Sequence, residues 1–240
     1  MFELFKQEPT VEIQEESDVI AGAAYTTGVY PMTLKYAYLD ESKPNPEKNN
    51  PGGAYNINLV FDDSGREFKH TEYISSNKAK DQKTTYTDKG GKEQALPGFT
   101  KMDALFRQFT GKGLADQAGD ERQINVWDGK ANTPQPRKVF SDMMAVPMQL
   151  CLIKTLEDKY GKPGETRDGN QIDKFLNEDG LTAPEVAKGE TEAKFAKQWA
   201  ASRTSEYVKD LRKDKSAKGG KPAASTAAKA GSSLFANKSA

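Results

Sequence analysis

The chain has 240 residues, of which 35% are hydrophobic and 29% charged, and its 35 basic and 35 acidic side chains cancel to a formal net charge of zero. Mean hydropathy is −0.80. One core of ordinary size fits this composition with a wide polar margin, and no run approaches the ~18 apolar residues of a membrane span.

The single cysteine, Cys151, excludes an intramolecular disulfide and a cysteine-cluster zinc site. The single histidine, His70, argues against a histidine-rich metal site, and no stretch matches the phosphate-cradling pattern G-x-x-x-x-G-K-[ST]. Residues 1–10 carry Glu3, Lys6 and Glu8 and lack the apolar centre of a signal peptide. The expectation is a soluble cytoplasmic protein with no cofactor, no metal and no membrane partner. No carboxylate pair stands out and no nucleophile has an evident base, so an enzyme is the weakest reading.

Zero net charge hides an asymmetry. The first twenty residues carry six acids and one lysine, a net of −5. Residues 211–240 carry seven basic residues and one acid, a net of +6. The chain therefore reads as an acidic head, a mixed middle and a basic tail.

In chain order, residues 1–24 are an acidic arm with little periodicity, expected to be loosely ordered. Met32, Leu34, Tyr36 and Tyr38 then alternate with Thr33, Lys35 and Ala37, the period-two signature of a half-buried strand. On that parity both tyrosines belong to the core. Residues 40–53 are turn chemistry throughout. A second strand sets Tyr55, Ile57, Leu59 and Phe61 on one face with Asn56 and Asn58 on the other. Asp63-Ser64-Gly65 turns into a third strand, Arg66 to Ser75. Residues 76–98 read as a long polar loop or ragged hairpin.

Met102, Leu105, Phe106 and Phe109 form one stripe at helical spacing. Thr100 and Asp103 suggest a capping box, and Gly111 and Gly113 mark the helix end. A fourth strand carries Ile124 and Val126, followed by the hairpin signal Asp128-Gly129. Residues 130–138 are extended, with two prolines. Met148 to Leu156 is a fifth strand buried on both faces, with Cys151 as a small hydrophobe in it. A short strand is possible at Ile172 to Leu176. A helix with the thin stripe Phe195, Trp199, Val208 and Leu211 is expected over 190–213. The Ala/Gly/Ser/Lys composition of 214–240 cannot offset backbone ordering entropy, which predicts disorder. Leu234 and Phe235 are the tail's one bulky apolar pair.

Strand, strand, strand, helix, strand, strand is the order of an OB-fold. The expected fold is therefore mainly β: a five-stranded OB-like barrel over 25–180 with one helix after the third strand, a C-terminal helical segment over 181–213 and a disordered basic tail over 214–240. OB-folds commonly bind single-stranded nucleic acid, which needs cations that follow the phosphates and aromatic faces on which bases stack. Candidate DNA-binding residues follow. Lys69 and Tyr73 share a face of the third strand with Thr71, while Phe68, His70, Glu72 and Ile74 take the other. Lys78, Lys80, Lys83 and Tyr86 follow in the loop. Trp127 sits on the parity opposite Ile124 and Val126, flanked by Lys130, Arg137 and Lys138, with Phe140 beyond. Each has a plainer reading beside it: Tyr73 as a half-buried strand tyrosine, Trp127 as a barrel cap, the loop lysines as a solvated surface of mixed charge.

The stretches GVYPMTLKYAYLDES, GGAYNINLVFDD, TEYISSNKAK and TTYTDKGGKEQALPGF resemble the single-stranded DNA-binding proteins of lytic tailed bacteriophages of the podovirus type. GETRDGNQIDKFLNEDG and the tail ending SLFANKSA carry the same likeness, which covers roughly residues 25–240. The resemblance implies a protein that coats single-stranded DNA in phage replication and recombination. It places the family's aromatic and basic contacts on Tyr73, Lys78, Lys80 and Tyr86. It also implies a partner for the C-terminal region, host RNA polymerase or replication proteins, with Leu234, Phe235 and Lys238 as the contact. The tail departs from bacterial single-strand binders, whose tips are acidic with a terminal Phe; here the tip is basic and Phe235 is internal. A protein–protein adaptor and a virion structural protein without nucleic-acid binding are the alternatives.

Overall fold

The computed structural model describes residues 24–45, 51–127, 131–159, 161–162 and 164–212. The long strand β1 (Gly28–Glu41) organises the main sheet. Its second half pairs antiparallel with β2 (Tyr55–Asp63), which pairs antiparallel with β3 (Arg66–Tyr73). The two-residue turn between β2 and β3 has positive φ at Ser64 (52°) and Gly65 (92°), a conformation that matches the strand twist and favours glycine at the second position.

Beyond β3 the polar segment folds into a 3-10 turn, Lys78–Lys80, and the small hairpin β4 (Thr85–Thr87) with β5 (Glu93–Ala95). The ragged-hairpin expectation holds there. Helix α1 (Pro97–Thr110) follows and buries Met102, Leu105 and Phe106, with Phe109 packed beside them, as the stripe predicts. Gly111 closes it at φ 75°. The expected capping box does not form. The helix starts at Pro97, a turn earlier, so Thr100 is already helical, and Asp103 accepts from Arg107 Nε and the Leu114 amide instead.

Next come β6 (Asp120–Trp127) and β7 (Asn132–Val139), an antiparallel hairpin. Residues expected only to be extended thus form a strand. Its prolines, Pro134 and Pro136, are tolerated because β7 touches β1 only through Lys138 and Val139, leaving the rest of that edge without a ladder to supply. The strands that complete the main sheet are β8 (Val146–Asp158), which pairs with the first half of β1, and β9 (Thr166–Leu176), which pairs with β8. So the buried strand is found where expected, and the short strand at Ile172 to Leu176 is the end of a longer one.

The helix expected over 190–213 is not continuous. A five-residue helix α2 (Ala183–Ala187), a nine-residue helix α3 (Lys194–Ser202) and a short strand β10 (Val208–Asp210), parallel to β8, occupy the region. Phe195 and Trp199 share α3, but Val208 lies on β10 and Leu211 beyond it, both exposed. Thr204 and Ser205 compete for backbone hydrogen bonds and β-branched Val208 prefers a strand, which explains the break. The true capping box is Thr182 with Glu185, both arms formed.

The main core lies on one face of the sheet. Met32, Leu34, Ala37, Ile57, Leu59, Phe61, Leu150 and Leu152 meet α1 there, and Phe140 closes on Phe106 with ring centroids 4.9 Å apart. The other face of β8 and β9 buries Cys151, Ile153 and Leu176 under Trp199. Burial pushes the Cys151 thiol up to about 12, as befits a small hydrophobe.

The architecture is mainly β, with a large, mostly antiparallel sheet of eight strands and three α-helices among the described residues. It does not close into the expected five-stranded barrel: β3 pairs only with β2, and β9 only with β8. No described helix is long and apolar enough to cross a membrane.

Candidate nucleic-acid interface

A bulge decides what the second face of the sheet displays. The β1–β2 register runs Leu34 to Phe61 and then Tyr36 to Val60, leaving Lys35 as an extra residue. Before it, Met32 and Leu34 point into the main core. After it, Ala37 and Leu39 do, and Tyr36 and Tyr38 turn to the opposite face. The sequence-based placement of both tyrosines in the main core with Leu34 is therefore corrected.

The register sets this outer face in three cross-strand rows. Tyr36, Val60 and Lys69 form one; Val139, Tyr38, Asn58 and Thr71 form the next; Asp40, Asn56 and Tyr73 form the third. Arg137 of β7 reaches the third row through Asp40, with Nε 3.4 Å from the carboxylate. The hairpin β6–β7 roofs part of the face. Ile124 and Val126 pack against the cluster of Tyr38, Val60 and Val139, with Tyr36 alongside. Burial raises the hydroxyl pKa of both Tyr36 and Tyr38, which keeps them neutral.

Between the roof and the β3 edge runs a groove of about 380 Å³, lined by Lys35, Tyr36, Glu67, Lys69, Gln123 and Asn125 among others. Glu67 sits between two cations, 2.7 Å from Lys35 and 3.3 Å from Lys69. The hydrogen bond from Lys35, with that from Lys69, holds its carboxyl below the ordinary range despite burial. Past the roof the face opens. Tyr73 is 54% exposed and its ring stands over no described aromatic partner. A polar ladder runs beside it: Thr71 Oγ1 donates to Asn58 Oδ1 and Asn58 Nδ2 donates to Asn56 Oδ1, each 2.7 Å.

The lysine loop continues from this open end. The Ser76 amide donates to the Lys83 carbonyl, which brings the loop back beside β3. Lys78 lies across Gly53, where a Cβ would come within 2.3 Å of its side chain, and its ammonium pairs with Glu41 at 2.8 Å. Lys83 pairs loosely with Asp81 at 3.9 Å. Lys80, Lys83, Tyr86 and Ser76 line a second groove of about 410 Å³, with Tyr86 45% exposed at its mouth.

The structure thus sets Lys69 and Tyr73 on one face with Arg137 joined through Asp40, and Lys80, Lys83 and Tyr86 around the groove that follows β3, while Lys78 pairs with Glu41 on the alternate parity of β1. Lys138 does not join them. It alternates with Arg137 and Val139 on β7 and stands opposite Glu121, with its stem against Gly119 on the reverse side of the hairpin. Trp127 ends β6, but its side chain lies outside the described residues, as do Lys130, Leu234, Phe235 and Lys238. Two features escaped the sequence reading. Asn56 and Asn58 were visible by alternation, yet nothing marked them as a ladder. Lys35 carries no signal of a bulge.

Searched against protein families, curated proteins and solved structures, the chain matches none.

Proposed function

We propose that the protein is a sequence-tolerant single-stranded DNA-binding protein that coats and protects single strands in phage DNA replication and recombination. The observation that carries this reading is the strip from the 380 Å³ groove across Tyr73 to Tyr86: two exposed phenols flanked by lysines along one open path. Stacking on such rings is worth about 1–3 kcal/mol per base and tolerates any sequence, because every base has a π-face. The carboxylates Glu67, Glu41 and Asp81 now hold the lysines that a phosphate backbone would take.

The connectivity supports an OB-like barrel within this reading. The order β1, β2, β3, α1, β8, β9, with β1 pairing on both β2 and β8, is that of the fold, with β6–β7 inserted and α1 filling the seam between β3 and β9. The basic tail, with Leu234, Phe235 and Lys238, recruits a partner such as host RNA polymerase or a replication protein. A protein–protein adaptor is the second reading, drawn from the exposed Tyr207, Val208 and Leu211 on and beside β10.

Titration with oligo-dT, followed by tryptophan fluorescence and gel shift at low and high salt, tests the proposal. Saturable binding with a log–log salt slope of about −2 to −3, three or four phosphates at roughly −0.7 each, is expected. No quenching and no shift at low salt would discard DNA binding and leave the adaptor or virion structural reading. Deleting 214–240 separates the tail's role: DNA binding is retained while partner capture is lost.

A further inference from the structure

On the side of the molecule formed by α1, β9 and α2 lies a groove of about 470 Å³ that the DNA-binding strip does not use. Its walls are Pro97, Ala104, Leu105, Phe175, Ala183 and Pro184, an apolar surface open at the top. Besides the hydroxyls of Thr100 and Thr182, four charged or amide side chains line it: Lys101, Gln108, Asp173 and Lys174. Three of them are engaged within the fold. Lys101 bonds Glu72 and the Ile172 carbonyl, Gln108 donates to the Leu181 carbonyl, and Asp173 accepts from the Trp199 indole with Arg203 3.6 Å away. Lys174 is exposed, its ammonium 5.9 Å from the Phe195 ring and in no ion pair with a described residue. The groove therefore asks for an apolar segment carrying negative charge.

The chain supplies one close by. Residues 1–23 lie outside the described residues and hold six acids and one lysine, with Phe2, Leu4 and Phe5 as their bulkiest apolar group. They join the described structure at β9. The Tyr25 amide donates to Asn170 Oδ1 and Asn170 Nδ2 donates to the Tyr25 carbonyl, each 2.8 Å. Asn170 is three residues from Asp173 on the same strand, about 10 Å at 3.3 Å per residue. Phe5 precedes Ala24 by nineteen residues, which span up to about 60 Å when extended, so reach is ample. The basic tail is the poorer occupant, since its lysines meet Lys174 and Lys101 with like charge.

We infer that the acidic N-terminal segment docks intramolecularly in the α1–β9–α2 groove, with Phe2, Leu4 and Phe5 on the apolar wall and its carboxylates around Lys174. This stands apart from the DNA-binding reading and survives or fails without it.

Cys151 is buried, so a cysteine introduced at Gln7→Cys is the sole reactive thiol for a nitroxide label on the full-length chain. Paramagnetic loss of amide signal is expected at Ala104, Gln108 and Lys174, and sparing of the β2–β3 face. The loss should weaken in Lys174→Glu and disappear in the triple variant Phe2→Ser, Leu4→Ser, Phe5→Ser, each made in the labelled chain. Signal loss centred on Lys69 and Tyr73 would overturn the proposal and place the segment on the DNA strip. Loss that transfers to an isotope-labelled, nitroxide-free chain mixed with the spin-labelled one would overturn it in favour of docking between copies. No loss at any site would overturn it outright.

Discussion

The Lys101 ammonium lies 2.9 Å from Glu72 Oε2 and 2.8 Å from the carbonyl of Ile172, so one side chain of α1 ties β3 to β9 across the seam where the sheet does not close. His70 Nε2 stands 3.1 Å from the same carboxylate oxygen. Burial pushes the Glu72 carboxyl up, but the hydrogen bonds from His70 and Lys101 outweigh it and bring it down to about 2. The group's pKa is lower folded than unfolded, so its contribution is fully present above the ordinary value of 4.5 and is lost as pH falls from there through about 2. The size is about 3 kcal/mol if the whole shift is expressed. Urea melts between pH 2 and 7 should show stability falling across that window. In Glu72→Gln the slope should flatten there, with a loss of about 2–3 kcal/mol at pH 7 from the stranded Lys101.

A second prediction concerns how closely α1 approaches β3. A Cβ on Gly98 would stand 2.0 Å from the Tyr73 carbonyl oxygen, and backbone there cannot yield as a side chain would. Alanine normally favours a helix over glycine by about 1 kcal/mol. Here Gly98→Ala should cost about 1–3 kcal/mol instead, the range for overpacking. The urea midpoint measures it, and a stabilised variant would contradict the close contact.

Glu67 competes with phosphate for Lys35 and Lys69, on the proposed function. Glu67→Gln should therefore tighten oligo-dT binding several-fold at low salt and steepen its salt dependence, with the two freed ammoniums each able to displace a counterion. Unchanged affinity and slope would take the 380 Å³ groove out of the DNA path.

Tyr73 and Tyr86 are the exposed rings of the proposed DNA path. Tyr73→Ala should weaken binding by about 1–3 kcal/mol, or roughly 5- to 150-fold, with little change in the thermal midpoint. Tyr38→Ala should act the other way round, destabilising the fold by opening the cluster beneath the β6–β7 roof. Equal loss of affinity in a stable Tyr38→Ala protein would move the stacking site under the hairpin.

The Cys151 thiol, held near 12 by burial between β8 and α3, should stay inert to a disulfide reagent at pH 8 until the protein is unfolded. Stoichiometric labelling of the native state would show that Trp199 does not seal that face.

Strand parity, the α1 stripe and the buried strand around Cys151 were legible because each depends on neighbours along the chain. The misreadings arose where distant contacts or single residues decide. Thr100 and Asp103 imitate a capping box that Pro97 pre-empts, while Thr182-Ala-Pro-Glu185 showed the same spacing and formed the real one. Val208 and Leu211 continue the spacing of Phe195 and Trp199, yet pairing with β8 takes Val208 into a strand. Tyr73 and Lys69 were readable from alternation, and the loop lysines from their place in the polar segment after β3. The separation of Lys138 from Arg137 follows the same rule, applied to a segment whose prolines hid its strand.

Lys35 is the one residue of β1 that belongs to neither run of its alternation. Because the bulge takes Lys35 out of the alternation, deleting it would leave a regular strand in which Met32, Leu34, Ala37 and Leu39 still face the main core and Tyr36 and Tyr38 the other side. One further residue inserted beside it would instead exchange the faces of half the strand, since a one-residue slip does so. An insertion–deletion scan along β1 should therefore find removal of this lysine tolerated far better than insertion next to it, at the loss of its pair with Glu67.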